Sequence, residues 1–148
     1  MTLKEKINDT IRDVEDFPKK GIVFKDITPI LDDPSLSEEI VDEFCLSLPK
    51  GVTHIAGIES RGFLFGFPAA MKSKSGFVLI RKKGKLPYKT VSVTYDLEYG
   101  TAEIEMHIDA VKTGDKVIIH DDLLATGGTA VAAAKLIPVS YTHLTLPT

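Results

Sequence analysis

Two adjacent acids and a turn rich in glycine and threonine follow an apolar run late in the sequence. The run at residues 117–119 is β-branched, as is typical of a strand covered on both faces. Asp121 and Asp122 cannot be buried without partners, so they mark the carboxyl end of this strand. The turn that follows contains Ala125, Thr126, Gly127, Gly128 and Thr129. Its amides and hydroxyls can hold a phosphate at a helix start, and the carboxylates can accept hydrogen bonds from vicinal hydroxyls. The pattern predicts a site for a ribose 5-phosphate.

An ordinary strand-to-helix turn is the alternative, with a threonine capping the helix and an aspartate held by the loop. That alternative does not require two acids and two glycines together, so the sugar-phosphate site is favoured. Other phosphate motifs are absent from the sequence, since no Gly-Lys-Ser/Thr follows as in a P-loop and no Gly-x-Gly-x-x-Gly occurs.

A second anion site is predicted at Ser60, Arg61 and Gly62 by the same reasoning, directly after Glu59. An apolar strand ends there, a small hydroxyl residue follows, and a helix begins beside an arginine. The guanidinium offers a planar, charge-assisted contact, although a surface ion pair is the simpler role for Arg61. Two such sites at neighbouring strand ends fit a ligand with a 5-phosphate at one end and a diphosphate at the other.

Periodicity predicts the elements that position these residues. Thr2 and Glu5 form a capping-box pattern before a helix whose apolar spacing continues through Glu15. A hairpin is predicted where residues 91–97 and 104–108 alternate around a polar turn. Further helices are predicted at about 36–47, 63–71 and 130–136, and strands at 22–24, 53–58, 77–81 and 117–119. This order contains a βαβ unit, so we expect a single α/β domain with a largely parallel sheet.

Composition narrows the class of protein. A chain of 148 residues, 43% of them hydrophobic, can bury one substantial core. One cysteine, Cys45, excludes an intrachain disulfide framework, and the four histidines are too scattered to form a metal-ligand set. A net charge of −3 favours neither nucleic acid nor an anionic membrane as a partner, and no apolar run is long enough to span a bilayer. Since the N-terminus lacks the apolar core of a signal peptide, the cytoplasm is the expected location.

The glycine- and threonine-rich turn resembles the phosphoribosyl-diphosphate-binding motif of type I phosphoribosyltransferases, in the form Asp-Asp-Leu-Leu-Ala-Thr-Gly-Gly-Thr typical of members that act on adenine. Other segments resemble the family in their residues and in their order along the chain, namely residues 21–29, 59–66, 80–87 and 97–100. The resemblance covers residues 3 to about 137. It implies an α/β fold with a central sheet flanked by helices and a flexible hairpin lid. It also implies transfer of a 5-phosphoribosyl group to adenine, giving AMP and diphosphate, with Mg²⁺ bound to the substrate and a homodimer as the assembly.

The resemblance assigns roles to individual residues. Arg61 and Glu98 are the catalytic candidates, and a cis peptide is implied between Glu59 and Ser60. The residues implied for the ribose 5-phosphate are Asp121, Asp122, Ala125, Thr126, Gly127, Gly128 and Thr129. The residues implied for diphosphate are Glu59, Ser60, Arg61, Arg81, Lys82, Lys85 and Tyr99, and those for adenine are Val23, Phe24 and Lys25. The residues alone favour simpler roles, with Phe24 in the core, Glu98 exposed in a turn and each lysine solvated.

The sequence departs from the family in two places. His120 stands where an aliphatic residue is expected, and its side chain should point away from that of Asp121, so we interpret it as a structural variant. Residues 138–148 resemble no part of the family and look like a translated sequencing adapter. We therefore expect a phosphoribosyltransferase domain over residues 1–137, incomplete at its C-terminus, and a non-native tail after it. Such a chain should be marginally stable and expose apolar surface.

Two alternative functions stay open at this point. A sister phosphoribosyltransferase for xanthine or orotate would share both phosphate sites and differ around Phe24. A regulator that binds phosphoribosyl diphosphate without catalysis would usually carry a DNA-binding segment, and neither end of the sequence shows a helix-turn-helix pattern or a basic arm.

Overall fold

The computed structural model describes residues 1–97, 99–121, 128–137 and 141–145. The chain forms two compact units, residues 1–46 and residues 47–148. Within these described stretches, none of the helices combines the length and the hydrophobicity that a bilayer crossing requires. The predicted domain boundary at residue 137 stays a prediction.

The first unit combines helices with a short antiparallel sheet. Its elements are α1 (Leu3–Thr10), β1 (Arg12–Glu15), β2 (Val23–Asp26), α2 (Thr28–Leu31) and α3 (Pro34–Leu46). The predicted capping box is confirmed, because the Thr2 hydroxyl accepts a hydrogen bond from the Glu5 amide and the Thr2 amide donates to the Glu5 carboxylate. Helix α2 has Pro29 in its first turn, where the missing amide hydrogen costs no hydrogen bond.

The prediction that the first helix continues through Glu15 is wrong. Helix α1 ends at Thr10, Ile11 has an extended ψ of 136°, and the chain then forms β1. Strand β1 pairs with β2 in antiparallel register, with Val14 opposite Phe24. The partner strand supplies the backbone hydrogen bonds that a helix would otherwise supply, and the β-branched Val14 suits a strand well. The spacing of apolar residues within one segment cannot show that a partner strand lies beside it.

The second unit is built on a six-stranded sheet. Its elements are β3 (His54–Ile58), α4 (Arg61–Ser73), β4 (Gly76–Lys82), β5 (Thr90–Leu97), β6 (Gly100–His107), β7 (Lys116–His120), α5 (Gly128–Leu136) and β8 (Tyr141–Thr145). The strand order is β5-β6-β4-β3-β7-β8, in which β4, β3, β7 and β8 run parallel. Strands β5 and β6 form the predicted hairpin, and β6 joins β4 in antiparallel fashion. The predicted α/β fold with a largely parallel sheet is confirmed, and β8 lies beyond the predicted boundary.

Branched side chains and close helix packing fix the centre of this sheet. Ile55 and Ile119 are at most 1% exposed, as expected for parallel strands with both faces covered. A Cβ atom at Gly57 would lie 2.6 Å from the Phe77 ring and 2.7 Å from the Gly62 carbonyl oxygen. Helix α4 therefore approaches β3 more closely than a larger residue would allow. The buried residues of α4 are all small: Gly62, Gly66, Ala69 and Ala70.

Strand register places the predicted phosphate sites at one edge of the sheet. Gly57 of β3 lies opposite His120 of β7, and Ile58 lies opposite Ile80 of β4. These three strands are parallel neighbours, so the segments that follow them leave the sheet at the same carboxyl edge. In open α/β sheets this edge is where ligands bind.

Candidate active site

The junction between β3 and α4 presents backbone amides at the carboxyl edge of the sheet. The peptide between Glu59 and Ser60 is cis, as the family resemblance implies. Ser60 is the N-cap of α4 and Arg61 is its first residue, because the chain turns directly from strand to helix. The amides of this first helical turn are the groups that the predicted anion site requires.

The Glu59 carboxylate accepts hydrogen bonds from basic residues at the end of β4. Arg81 donates through Nε over 2.5 Å, Lys85 donates through Nζ over 3.1 Å, and the Lys82 amide lies 3.5 Å from the carboxylate. Burial by itself raises the pKa of Glu59, but the hydrogen bonds from Arg81 and Lys85 outweigh burial and the pKa lies below its usual range. The carboxylate is therefore ionised at neutral pH.

A second carboxylate holds the same stretch of chain from the other side. We define the basic turn as residues 81–85, which include the predicted diphosphate residues Arg81, Lys82 and Lys85. Within it, Gly84 has a φ of 87° and its amide donates to the Glu105 carboxylate over 2.9 Å. The Thr90 hydroxyl donates to the other oxygen of Glu105 over 3.1 Å. The basic turn is thus fixed to the neighbouring hairpin as well as to Glu59.

Glu105 is a supporting residue that sequence reasoning misses. It stands between Ile104 and Met106, so an alternating strand pattern assigns it to the solvent-facing side. In the structure it is only 6% exposed, because the basic turn and Thr90 contact it. Glu103 follows the same alternating pattern, and only the strand register shows which of the two acids is covered.

The end of β7 carries the predicted ribose-phosphate residues. Asp121 is half-buried directly after the strand, and Gly128 and Thr129 are the first residues of α5. The predicted strand before the turn and the predicted helix after it are confirmed. Asp122, Ala125, Thr126 and Gly127 lie outside the described residues, and their roles stay predictions.

His120 is buried at the end of β7 beside helix α4. It is 6% exposed, and a Cβ atom at Gly66 would lie 3.5 Å from its ring. Its carbonyl oxygen lies so close to Gly62 that a Cβ atom there would approach it to 2.7 Å. Burial lowers the pKa of His120 from 6.5 to about 4, so the ring is neutral at physiological pH. This supports the interpretation of His120 as a structural residue rather than a ligand-binding one.

The tip of the β5–β6 hairpin carries the remaining candidates of the second unit. Tyr99 is 89% exposed at this tip. Glu98, the predicted catalytic acid of the hairpin, lies outside the described residues. The roles of both residues stay predictions, since a lid would act only after closing over a substrate.

The predicted adenine residues lie on β2 in the first unit. Phe24 is only half-buried and packs edge-on against Phe17, with ring centroids 5.1 Å apart and an angle of 72° between the planes. This exposure does not fit the interpretation of Phe24 as a core side chain. Val23 is 54% exposed, and Lys25 Nζ lies 2.6 Å from the Asp13 carboxylate. A half-buried aromatic ring is thus present where the resemblance implies base stacking.

Proteins related in sequence are identical to this chain at about half of the aligned positions. The adenine phosphoribosyltransferase of Methylorubrum populi is 54% identical over 132 residues, which cover 88% of this chain and 73% of that protein. The adenine phosphoribosyltransferase of Kosmotoga olearia is 54% identical over 138 residues, which cover 88% of this chain and 78% of that protein. No family model matches the chain.

Solved structures agree with these relatives. The adenine phosphoribosyltransferase from Thermoanaerobacter pseudethanolicus superimposes with a TM-score of 0.90 at 48% identity, covering 98% of this chain and 86% of that one. The enzyme from Saccharomyces cerevisiae, complexed with adenine and an imino-altritol bisphosphate, gives a TM-score of 0.88 at 34% identity, covering 99% and 89%. Because the similarity is high and extends over most of both partners in each comparison, the chain belongs to the adenine phosphoribosyltransferase family.

Proposed function

We propose that this enzyme transfers the 5-phosphoribosyl group of phosphoribosyl diphosphate to adenine, giving AMP and diphosphate, and that it holds the sugar substrate along the carboxyl edge of β4, β3 and β7. The observation that carries this proposal is the register of these parallel strands, which brings Glu59, Arg81 and Asp121 to neighbouring strand ends. Neighbouring strands lie about 5 Å apart. A substrate with phosphate groups at both ends requires paired anion sites of this kind.

The end of β7 binds the 5-phosphoribosyl end in this proposal. Asp121 and Asp122 accept hydrogen bonds from the ribose hydroxyls, since carboxylates are acceptors and do not bind phosphate. The 5-phosphate lies against the turn and the N-terminus of α5, where N–H groups and the helix dipole favour an anion. The residues with this role are Ala125, Thr126, Gly127, Gly128 and Thr129.

The β3–α4 junction and the basic turn bind the diphosphate in this proposal. Negative charge develops on the diphosphate as it leaves, while positive charge develops on the ribosyl ring. Fixed cations stabilise the leaving group without reorganising during the reaction. Closure of the hairpin would bring Glu98 and Tyr99 over the substrate and exclude water, which would otherwise capture the ribosyl cation. The cations with this role are Arg61, Arg81, Lys82 and Lys85.

Strand β2 recognises the base in this proposal. The half-buried ring of Phe24 offers a face for stacking on adenine, and the backbone at Val23 and Lys25 can donate to and accept from its edge. Relatives named for adenine support adenine over xanthine or orotate as the accepted base.

Magnesium enters with the substrate in this proposal. Among the residues that the structure describes, no group of three or more His, Cys, Asp or Glu side chains could hold a metal ion. Mg²⁺ prefers oxygen ligands and keeps several waters. The diphosphate oxygens and these waters can therefore supply its ligands without a dedicated protein site. The ion would offset charge on the leaving diphosphate, with Asp121 at the strand end placed to contact its water shell. A homodimer is proposed on the family resemblance alone, and a cytoplasmic location is a further proposal.

The direct test is formation of AMP from adenine, phosphoribosyl diphosphate and Mg²⁺, with xanthine and orotate as competing bases. AMP and diphosphate should appear in equal amounts, and neither competing base should be consumed. The assay is also run on a variant whose residues 138–148 are replaced by the matching segment of the Kosmotoga olearia relative, since the sequence analysis predicts that this segment is non-native. Consumption of another base, or binding of phosphoribosyl diphosphate without turnover in both chains, would reject the proposal.

A further inference from the structure

The cations of the basic turn surround the covered carboxylate of Glu59. The Glu59 side chain is 9% exposed, whereas the side chain of Arg81 is 33% exposed and that of Lys85 is 50% exposed. Both carboxylate oxygens are engaged, one by Arg81 and the other by Lys85 and the Lys82 amide. The cations therefore cover the carboxylate and keep their outer surfaces in solvent.

A carboxylate in an anion site needs a physical reason, because it repels the ligand that the cations attract. Two cations held close together also repel each other, and a carboxylate between them offsets that repulsion and fixes their separation. An arginine has five N–H donors and a lysine has three, so each keeps donors for a ligand after bonding to Glu59. Arg81 also donates a hydrogen bond to the Lys85 carbonyl oxygen over 3.3 Å, which connects the two basic residues directly.

Glu59 also connects two parts of the proposed diphosphate site. Its own backbone is at the β3–α4 junction, where its amide donates to the Ile80 carbonyl oxygen over 2.9 Å. Its side chain holds the basic turn, whose other side is fixed by Glu105 through the Gly84 amide. The junction amides and the cations of the turn are thus set in one arrangement before a ligand arrives.

We propose that Glu59 is a positioning residue for diphosphate, holding Arg81 and Lys85 as a pair whose remaining donors face the ligand. This inference rests on the proposed function, because it deepens the role of the diphosphate site. The opposite possibility is that Glu59 stands in for the diphosphate and must be displaced when the ligand binds. The two ideas give opposite signs for the effect of removing its charge.

The test is the affinity for inorganic diphosphate with Mg²⁺, measured by calorimetry on the full chain and on Glu59→Gln. Loss of a negative charge should by simple electrostatics tighten the binding of an anion. Positioning predicts the reverse, a loss of about tenfold or more, since the amide nitrogen of Gln cannot accept a hydrogen bond from Arg81 or Lys85. Tighter or unchanged binding would overturn the proposal.

Glu103→Gln is the matched control. It removes the same charge beside the same turn, where Glu103 lies 3.7 Å from Lys83 Nζ, without touching Arg81 or Lys85. Its affinity for diphosphate should be unchanged or slightly higher. An equal loss in both variants would show that the effect does not depend on the contacts of Glu59 with Arg81 and Lys85, and would overturn positioning.

Glu59→Asp decides the matter if Glu59→Gln does not fold. It keeps the charge but withdraws the carboxylate by one methylene group, so binding weakens if position matters and is retained if only charge matters. If both variants fold, Asp should restore part of the affinity that Gln loses, which a general loss of structure would not produce. Failure of the unsubstituted chain to bind diphosphate would reject the proposed function itself, whereas normal binding with no change in the Glu59 variants would reject only this inference.

Discussion

The β1–β2 hairpin of the first unit and the carboxyl edge of the sheet in the second unit hold their candidate binding residues by different means. In the hairpin, Phe17 is 50% exposed, and the Lys25–Asp13 ion pair has side chains 64% and 58% exposed. An exposed pair of this kind contributes about 0–1 kcal/mol. At the sheet edge, Glu59 and His120 are almost fully covered.

This difference indicates that the proposed phosphate side is fixed before a substrate arrives, whereas the proposed base side rests on an aromatic contact. The covered carboxylate of Glu59 cannot move away from its cations without being left uncompensated, which makes this geometry rigid. An edge-on ring pair contributes only about 0.5–1.5 kcal/mol beyond its buried area. We therefore expect pH and substitutions to act strongly at the sheet edge and more weakly at the hairpin.

The largest expected effect is a pH dependence of stability that comes from His120. Its pKa falls from 6.5 to about 4 on burial, so between these values the unfolded chain binds a proton that the folded chain does not. Its contribution is therefore complete above the unfolded pKa and is lost as the pH falls toward the folded pKa, by about 3 kcal/mol in total. Denaturant unfolding at neutral pH and near pH 4 measures this loss.

His120→Leu is the matching variant, since it keeps a buried side chain without a titrating group. Carboxylates titrate in the same acid range, so the informative quantity is the difference between the two chains. Most of the extra loss in the unsubstituted chain should disappear in the variant. Equal losses in both chains would show that His120 is not the source.

The next effect concerns the close approach of α4 to β7. In Gly62→Ala the new methyl group would lie 2.7 Å from the His120 carbonyl oxygen, so the start of α4 has to move away from the sheet edge. Overpacking of this kind costs about 1–3 kcal/mol. Thermal unfolding should show the loss, and diphosphate binding should weaken with it. Met71→Ala on the same helix, where the side chain is 65% exposed, should leave both nearly unchanged.

A smaller effect is expected at the end of β7. Asp121→Asn keeps the shape of the side chain but turns one acceptor into a donor, so affinity for phosphoribosyl diphosphate should fall about tenfold while the fold is retained. Calorimetry with the intact substrate measures the change. Asp109→Asn, at an exposed acid before β7, is the control and should bind normally. Normal binding by Asp121→Asn would remove this residue from the site.

The smallest effects are expected in the β1–β2 hairpin. Phe24→Ala should raise the KM for adenine by about fivefold, because a stacking surface is lost. Phe17→Ala should raise it less, by about threefold, since Phe17 only orients the Phe24 ring. Neither change should alter the affinity for diphosphate. Unfolding of Phe24→Ala in thermal melts would restore the interpretation of Phe24 as a core residue.

Strands and helices with a strong local pattern could be predicted closely. The β-branched run at residues 117–119 lies within β7, and the Thr2–Glu5 capping box begins α1. Both patterns depend on neighbours within a few residues, which the sequence shows directly. The end of α1 could not be predicted in this way, because residues 12–15 are held by hydrogen bonds to β2 rather than by their own spacing.

The residues of the candidate site also differ in whether local sequence or distant contacts reveal them. Glu59 and Asp121 could be predicted as candidates because each follows an apolar strand, and a polar residue at a buried strand's end is visible in the sequence. Arg61 could be predicted because it stands at the start of the helix that follows. The role of Glu105 could not be found, since an acid on an alternating strand is assigned to solvent until its neighbours are known.

The sequence alone predicts which residues could carry phosphate-binding chemistry and which strands and helices present them, because strand ends, turns and helix starts are local features. Which charges meet is set only by the tertiary structure. Arg81 and Lys85 are solvated cations in the sequence, and they become a fixed pair only because β4 lies beside β3 and brings them to Glu59. Register and burial set the distances between charges, and those distances depend on segments far apart in the chain.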